Sequence, residues 1–244
     1  MLPRATVDGD RVRITGVRHF DFRTRDDFTA RYEEREFSLA HVSSLDLFLS
    51  YWRTGPLGHT FVSFRFDDGT PPLCVSIEAR PEAGERFALV PAVFKQFELI
   101  YVVGDERDLV GSHAGPRREE VYLYPIRATP EEVRRLLAVY LGRINALADR
   151  PEFYNPWKNS CTVNIARHAN TAGREGHFDV RYLLNGWVDS YLYATGRVDT
   201  TVPFEELRRR SRITDVAREA QSAADFSRRI RESLPGPPSA IPPL

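Results

Sequence analysis

The stretch HTFVSFRFDDGTPPLCVSIEAR, His59 to Arg80, reads as two strands joined by a turn. β-branched and aromatic residues fill both arms, and DDGTPP between them is a cluster of turn formers. Side chains on a strand alternate between two faces. Thr60, Val62, Phe64 and Phe66 share one face, and Leu73, Val75, Ile77 and Ala79 share one face of the second arm. These are the more apolar sets, so they are expected to face the core together. The opposite face then gathers His59, Phe61, Ser63 and Arg65 with Cys74, Ser76, Glu78 and Arg80. A loop centred near Gly69 and Thr70 pairs His59 near Arg80 and makes Glu78 its diagonal neighbour. A one-residue slip would remove Glu78 from that face. A carboxylate beside an imidazole fixes its tautomer and stabilises the charged ring. Gly58, just before His59, marks a close approach to the backbone, read as room for a substrate.

Further strands are expected at RVRITGVRHFDF (11–22), QFELIYVV (96–103) and EVYLYPI (120–126). Residues 27–52 mix a helical segment with the apolar LDLFLSYW. The clearest helix spans 130–148: Thr129 and Glu132 form a capping box, Pro130 sits at its first position, and Val133, Leu136, Leu137, Tyr140, Leu141, Ile144 and Leu147 recur at the helical period. Residues 178–233 read as helical segments. Strands precede helices, which predicts an α+β fold with an antiparallel sheet. One domain over 1–234 and a proline-rich disordered tail, PGPPSAIPPL at 235–244, are expected.

The 244 residues carry 34 basic and 34 acidic side chains, so no general attraction to nucleic acid or anionic membrane is expected. ELRRRSR at 206–212 reads as a solvated helix face. The N-terminus lacks signal-peptide order and no apolar run is long enough to span a bilayer, so the chain as written reads as soluble. Two cysteines make neither a disulfide framework nor a zinc-ligand cluster.

Those two differ. Cys74 lies ~20 Å along its strand from the His59 end and reads as a buried strand residue. Cys161 follows NPWKNS and precedes TVNIARHAN, with Asn159 or Ser160 as the N-cap. In a first helical turn the dipole and the N–H groups favour a thiolate and can hold an oxyanion. Cys161 is therefore a nucleophile, a small buried apolar residue, or a disulfide partner of Cys74. Tyr154 and Trp157 flank it, as groove-lining or packing residues. Asp105 to Asp108 is a charged turn or an ion-pair network holding the site. His168 reads as a surface or packing residue. His19, His41, His113 and His177 lack a supporting constellation.

The ordered runs GHTFVSFRFDDG, VSIEAR, FKQFELIYVVGDERDLV, VYLYPI and PEFYNPWKNSCTVNIARHAN resemble the Lnb N-terminal periplasmic domain family, from about His19 to Ile230. More distantly, the order His59, Glu78, Cys161 resembles the circularly permuted NlpC-type branch of papain-like cysteine hydrolases. That resemblance implies a papain-like antiparallel sheet packed on helices. It also implies Cys161 as nucleophile, His59 as general base and Glu78 as orienting group, with Asn159 as a candidate oxyanion donor. The implied reaction is amide or ester hydrolysis, or acyl transfer if another nucleophile replaces water, and needs no metal or cofactor. The implied substrate is a peptide, amide or acyl-lipid of the cell envelope. The family resemblance implies a periplasmic or envelope location, with any export signal or membrane segment outside this sequence; a complete chain of this kind would be cytoplasmic. The other class of function is a non-catalytic binding or accessory module, which a basal alkylation rate at Cys161 would favour.

Overall fold

In a computed structural model describing residues 1–24, 26–52, 55–80, 97–174, 176–177 and 179–234, the hairpin lies within an eight-stranded sheet. The strands are β1 (Arg4–Asp8), β2 (Arg11–Arg18), β5 (Tyr32–Ser38), β6 (Val42–Tyr51), β7 (His59–Phe66), β8 (Leu73–Arg80), β9 (Glu98–Gly104) and β10 (Glu120–Ile126), with β3 (Asp21–Phe22) and β4 (Phe28–Thr29) forming a separate ribbon. The order is β1-β2-β9-β8-β7-β6-β10, with β5 also on β2. Pairing is antiparallel except for Arg18↔Gly104, where β2 meets β9. The fold is thus α+β with a mostly antiparallel sheet. The strands expected around 96–103 and at 120–126 are present as β9 and β10, although Gln96 lies outside the described residues, as does the 235–244 tail.

Residues 27–52 contain no α-helix among the described residues; β4, β5 and β6 occupy them, with a single 3-10 turn at Leu39–His41. The physical reason is period-two patterning. Leu45, Leu47, Leu49 and Tyr51 enter one core cluster while Phe48 between them enters another.

The face assignment for the hairpin holds. Val62, Phe64, Leu73, Val75 and Ile77 lie in the first core cluster, beneath α2 (Pro130–Asp149) and α3 (Cys161–Thr171). On α2 the seven periodic apolar residues are all buried, each contributing about 1.5–3 kcal/mol. Its capping box is present, with Glu132 N–H donating to Thr129 Oγ1 at 3.3 Å and Thr129 N–H to Glu132 Oε2 at 2.7 Å.

The second face is also covered, which the alternation alone did not indicate. Phe48, Phe61, Cys74, Val121 and Leu123 pack under α1 (Glu106–Ala114) and the later helices Thr214–Glu219 and Phe226–Arg229. The DERD run is the start of α1: Asp105 caps it, accepting from Asp108 N–H at 2.7 Å. Helix α1 is buried along most of its length, so it carries no one-sided apolar stripe to reveal it. Arg231 neutralises the acids under this layer, reaching Asp46 at 2.6 Å and Glu106 at 2.8 Å, while Ser63 Oγ donates to Glu106 at 2.6 Å. DERD is therefore an ion-paired helix start, with Asp108 on Arg18 at 2.7 Å.

The hairpin register differs by two residues from the expected one. Phe61 pairs with Ser76 and Phe64 with Leu73. The β7–β8 ladder ends at Phe61↔Ser76, while β8 continues alone along β9 to Arg80↔Glu98. Continued by two residues, the register sets His59 opposite Glu78, not Arg80.

Candidate active site

The open end of the β7–β8 pair is where the candidate residues meet. Ser160 caps α3, its side chain accepting from Val163 N–H at 3.4 Å. Cys161 is the first helical residue, and the N–H groups of Cys161 and Thr162 lie outside the helical ladder. Thr162 Oγ1 pairs with Thr60 Oγ1 at 2.8 Å, pinning the start of α3 against the start of β7. The Cys161 sulfur then lies close enough to His59 and Thr60 for both to act on its charge.

His59 half-protrudes into the site. Its ring stacks on Phe61 (5.7 Å between centroids) and His113 (5.4 Å), on the second face of the sheet. Thiol and imidazole therefore approach from opposite faces and meet past the end of the ladder. Nε2 pairs with Ser76 Oγ at 2.7 Å, which leaves Nδ1 for the thiol.

Electrostatics divide the pair. Burial alone would raise the Cys161 pKa, but the charge and hydrogen bond of His59, with help from Thr60, bring it down to about 6. Burial disfavours the charged His59 ring, yet Cys161 and then Glu78 hold its pKa above the ordinary value. Glu78 resists its burial through Arg117, His59, Arg18 and His113, which bring it down to about 2. A thiolate–imidazolium pair with an ionised carboxylate nearby is the state these effects favour.

Asn159 is a correction. Its Oδ1 accepts from Asn155 N–H at 2.5 Å and its Nδ2 donates to Phe153 O at 3.0 Å, so the amide closes its own loop. The amide beside the sulfur belongs to Asn185, whose Nδ2 donates to Sγ at 3.5 Å while its Oδ1 accepts from Gly58 N–H at 2.8 Å. Gly58 is a second correction: a Cβ there would stand 2.9 Å from Ser50 O and 3.0 Å from Leu49 Cδ1. It makes room for β6, not for a substrate. Gly186 likewise admits the backbone of Gly55 and Pro56.

Tyr154 is buried in the first core and is a packing residue, whereas Trp157 is 61% exposed. Cys74 and Cys161 are both free, so no disulfide joins them. His168 is a packing residue, buried with Nε2 2.6 Å from Tyr101 OH. ELRRRSR is only partly solvated: Arg208 pairs with buried Asp189 and lies over the Tyr51 and Tyr122 rings. Tyr51 OH in turn donates to Gly186 O, holding the Asn185 turn in place.

His113 has a constellation after all. Its Nδ1 donates to Glu119 Oε2 at 2.5 Å, and Glu119 accepts from Ser50 Oγ. One ligand-capable atom each of His59, Glu78 and His113 lies within 4.8 Å of the others. Neither Asn185 nor His113 carried a local signal beyond the Asn185-Gly186 turn dipeptide, because their partners lie far away in sequence.

The model of the Lnb N-terminal periplasmic domain family matches residues 28–186, more than half of the chain and including all these site residues. No curated protein and no solved structure matches. No helix among the described residues is long and apolar enough to cross a membrane.

Proposed function

This chain belongs to the Lnb N-terminal periplasmic domain family, and from its site we propose that it is a cysteine hydrolase of amide or ester bonds. The observation that carries the proposal is the thiol of Cys161, first residue of α3, where the Asn185 amide donates to the sulfur at 3.5 Å and the charge of His59 helps draw its pKa down to about 6. Cys161 is the nucleophile, His59 the general base and acid, and Glu78 the charge that keeps the ring positive. The relation to permuted papain-like hydrolases belongs to this proposal, and the family's periplasmic description supports an envelope substrate, either a peptide or a lipid-linked acyl group.

The thiolate attacks the carbonyl carbon, and the C–S bond forms as the carbonyl electrons move to oxygen. The N–H of Cys161 and the Asn185 amide are the donors nearest that oxyanion. On collapse the C–N or C–O bond breaks, and His59 Nδ1–H protonates the leaving nitrogen or oxygen. Water, deprotonated by His59, then attacks the thioester; the C–S bond breaks and the thiolate returns.

A second reading, acyl transfer by the same thiol, is favoured by one feature. A cavity of about 110 Å³ lies between sheet and helices beside Thr162, walled by Leu47, Val62, Leu136, Ile165, Ala169 and Leu192. Such a wall suits an acyl chain, and a second nucleophile entering in place of water would carry the acyl group away.

The experiment uses p-nitrophenyl esters of short and long acyl groups. A burst of p-nitrophenol with one acyl group on Cys161 by intact mass, absent in Cys161→Ala, is expected. Added amine or alcohol that accelerates the phase after the burst selects transfer over hydrolysis. No adduct, together with an ordinary alkylation rate at Cys161, sinks both readings and leaves a binding module.

A further inference from the structure

The thiol mechanism uses one side of the His59 ring and leaves the His113–Glu119–Ser50 chain without a task. We propose that His59 Nε2, Glu78 and His113 Nε2 form a binding site for a divalent transition metal of the zinc class.

The donor set fits. Two imidazoles and one carboxylate with a further position open is a known pattern for zinc, and imidazole selects zinc, copper, iron or nickel over calcium and magnesium. One donor atom from each of the three residues already lies within 4.8 Å of the others. Zinc ligands at ~2.0–2.1 Å in tetrahedral array stand about 3.3 Å apart, so the trio closes by at most about 1.5 Å. Ser76 Oγ, now 2.7 Å from His59 Nε2, is a hydroxyl that a metal displaces at small cost.

The outer contacts are those a metal ligand needs. Glu119 takes the Nδ1 proton of His113, which fixes the tautomer with a lone pair on Nε2. Ser50 in turn donates to Glu119, so the supporting carboxylate is itself held. The Nε2 lone pair faces a region that also holds the Glu78 carboxylate. Neither group can donate a proton to the other once Glu78 is ionised, and a cation satisfies both. Arg117 opposes the metal most directly, since it acts on Glu78 and His113 alike, whereas Arg18 acts on Glu78.

Metal at this site takes Nε2 and leaves the His59 ring a single proton, on Nδ1. Metal-bound and proton-shuttling states of His59 then exclude one another, a clause that rests on the thiol-hydrolase reading; the metal site itself does not.

The test reads binding, not turnover. Untagged full-length protein, stripped with chelator, is titrated with ZnCl₂ by calorimetry and with CoCl₂ by visible absorption. One equivalent of zinc and the d–d bands of a four-coordinate cobalt site are expected. His113→Gln should weaken zinc binding at least about 100-fold, and Glu119→Gln about 10–100-fold. Cys74→Ala, in the sheet's second core cluster, should leave it unchanged, while Cys161→Ala, which removes the thiol that favours the protonated His59 ring, should not weaken it. Arg117→Met, which alters no ligand, should tighten it about tenfold by removing a repelling charge. No saturable binding overturns the proposal, as does binding lost with either cysteine and kept in His113→Gln. If circular dichroism finds His113→Gln unfolded, Arg117→Met decides: tighter binding supports the site, and unchanged or weaker binding overturns it.

Discussion

Cys74 and Cys161 are the same residue, both free and both buried, in two regions with opposite electrostatics. Cys74 sits at the start of β8, second residue of the strand, in the cluster under α1. Burial, then Glu106, Asp105 and Asp108, push its thiol well up. Cys161 starts a helix at the open end of a ladder, where His59 and Thr60 overcome burial and bring it down to about 6. Burial alone therefore says nothing about a cysteine's chemistry. The sign of the neighbouring charge, and whether N–H groups point at the sulfur, decide it.

The comparison breaks hardest if both thiols prove dispensable. Cys161→Ala should cut p-nitrophenyl ester turnover by at least about 1,000-fold, since a nucleophile is being removed. Cys74→Ala should leave turnover intact, and equal losses in the two variants would dissolve the contrast.

The Cys74 region can be tested through its counter-charge. Arg231→Met leaves Asp46 and Glu106 buried without their cation, an expected cost of about 3–5 kcal/mol. Thermal unfolding should shift down by roughly 10 °C. A shift under a degree or two would mean that the acids on that face shed their charge at little cost.

The pH profile sharpens the Cys161 side. Only the thiolate alkylates, so the rate at Cys161 should rise through about pH 6 and level above pH 7, the sign expected for an acid whose pKa is lowered. At pH 6.5 it carries roughly 75 times more thiolate than a free thiol of pKa ~8.5, but a weaker base is a poorer nucleophile by about 13-fold. The net advantage is about sixfold, which His59→Ala should erase while moving the rise toward pH 8.5. Mass-mapped iodoacetamide kinetics read both, with Cys74 as the unreactive internal reference.

A smaller change is expected from Glu78→Gln. Removing that carboxylate weakens the charged ring, so the Cys161 rise should move up by a few tenths of a pH unit, with alkylation at pH 6 falling by less than about twofold. An unmoved profile would take Glu78 out of the site. Smallest of all, Cys74→Ala should cost about 1 kcal/mol of stability, the usual scale for trimming one buried atom.

Much of this was legible locally. Strand parity on His59–Phe66 and Leu73–Arg80, the Thr129–Glu132 box and the helix start at Cys161 all follow from residues within a few positions of one another. The order His59, Glu78, Cys161 pointed to the residues that meet. Errors arose where a side chain's partner is remote. Asn159 was the near amide, yet its own loop consumes it, and Asn185 reaches the sulfur instead. Helix α1 is wrapped by neighbours along most of its length and so lacks the one-sided stripe that marks a surface helix.

The sequence by itself determined the hairpin arms and their faces, the later strands β9 and β10, helix α2 and the start of α3, because propensity, capping and period-two alternation are interactions between near neighbours. The tertiary structure alone decided the register, the cover over the second face, the reason for Gly58 and the companions His113 and Asn185. These depend on pairs as distant as Gly58 and Asn185, 127 positions apart. No local pattern encodes such a contact; it exists only once the chain has packed and the backbone has run out of space for anything larger than a hydrogen.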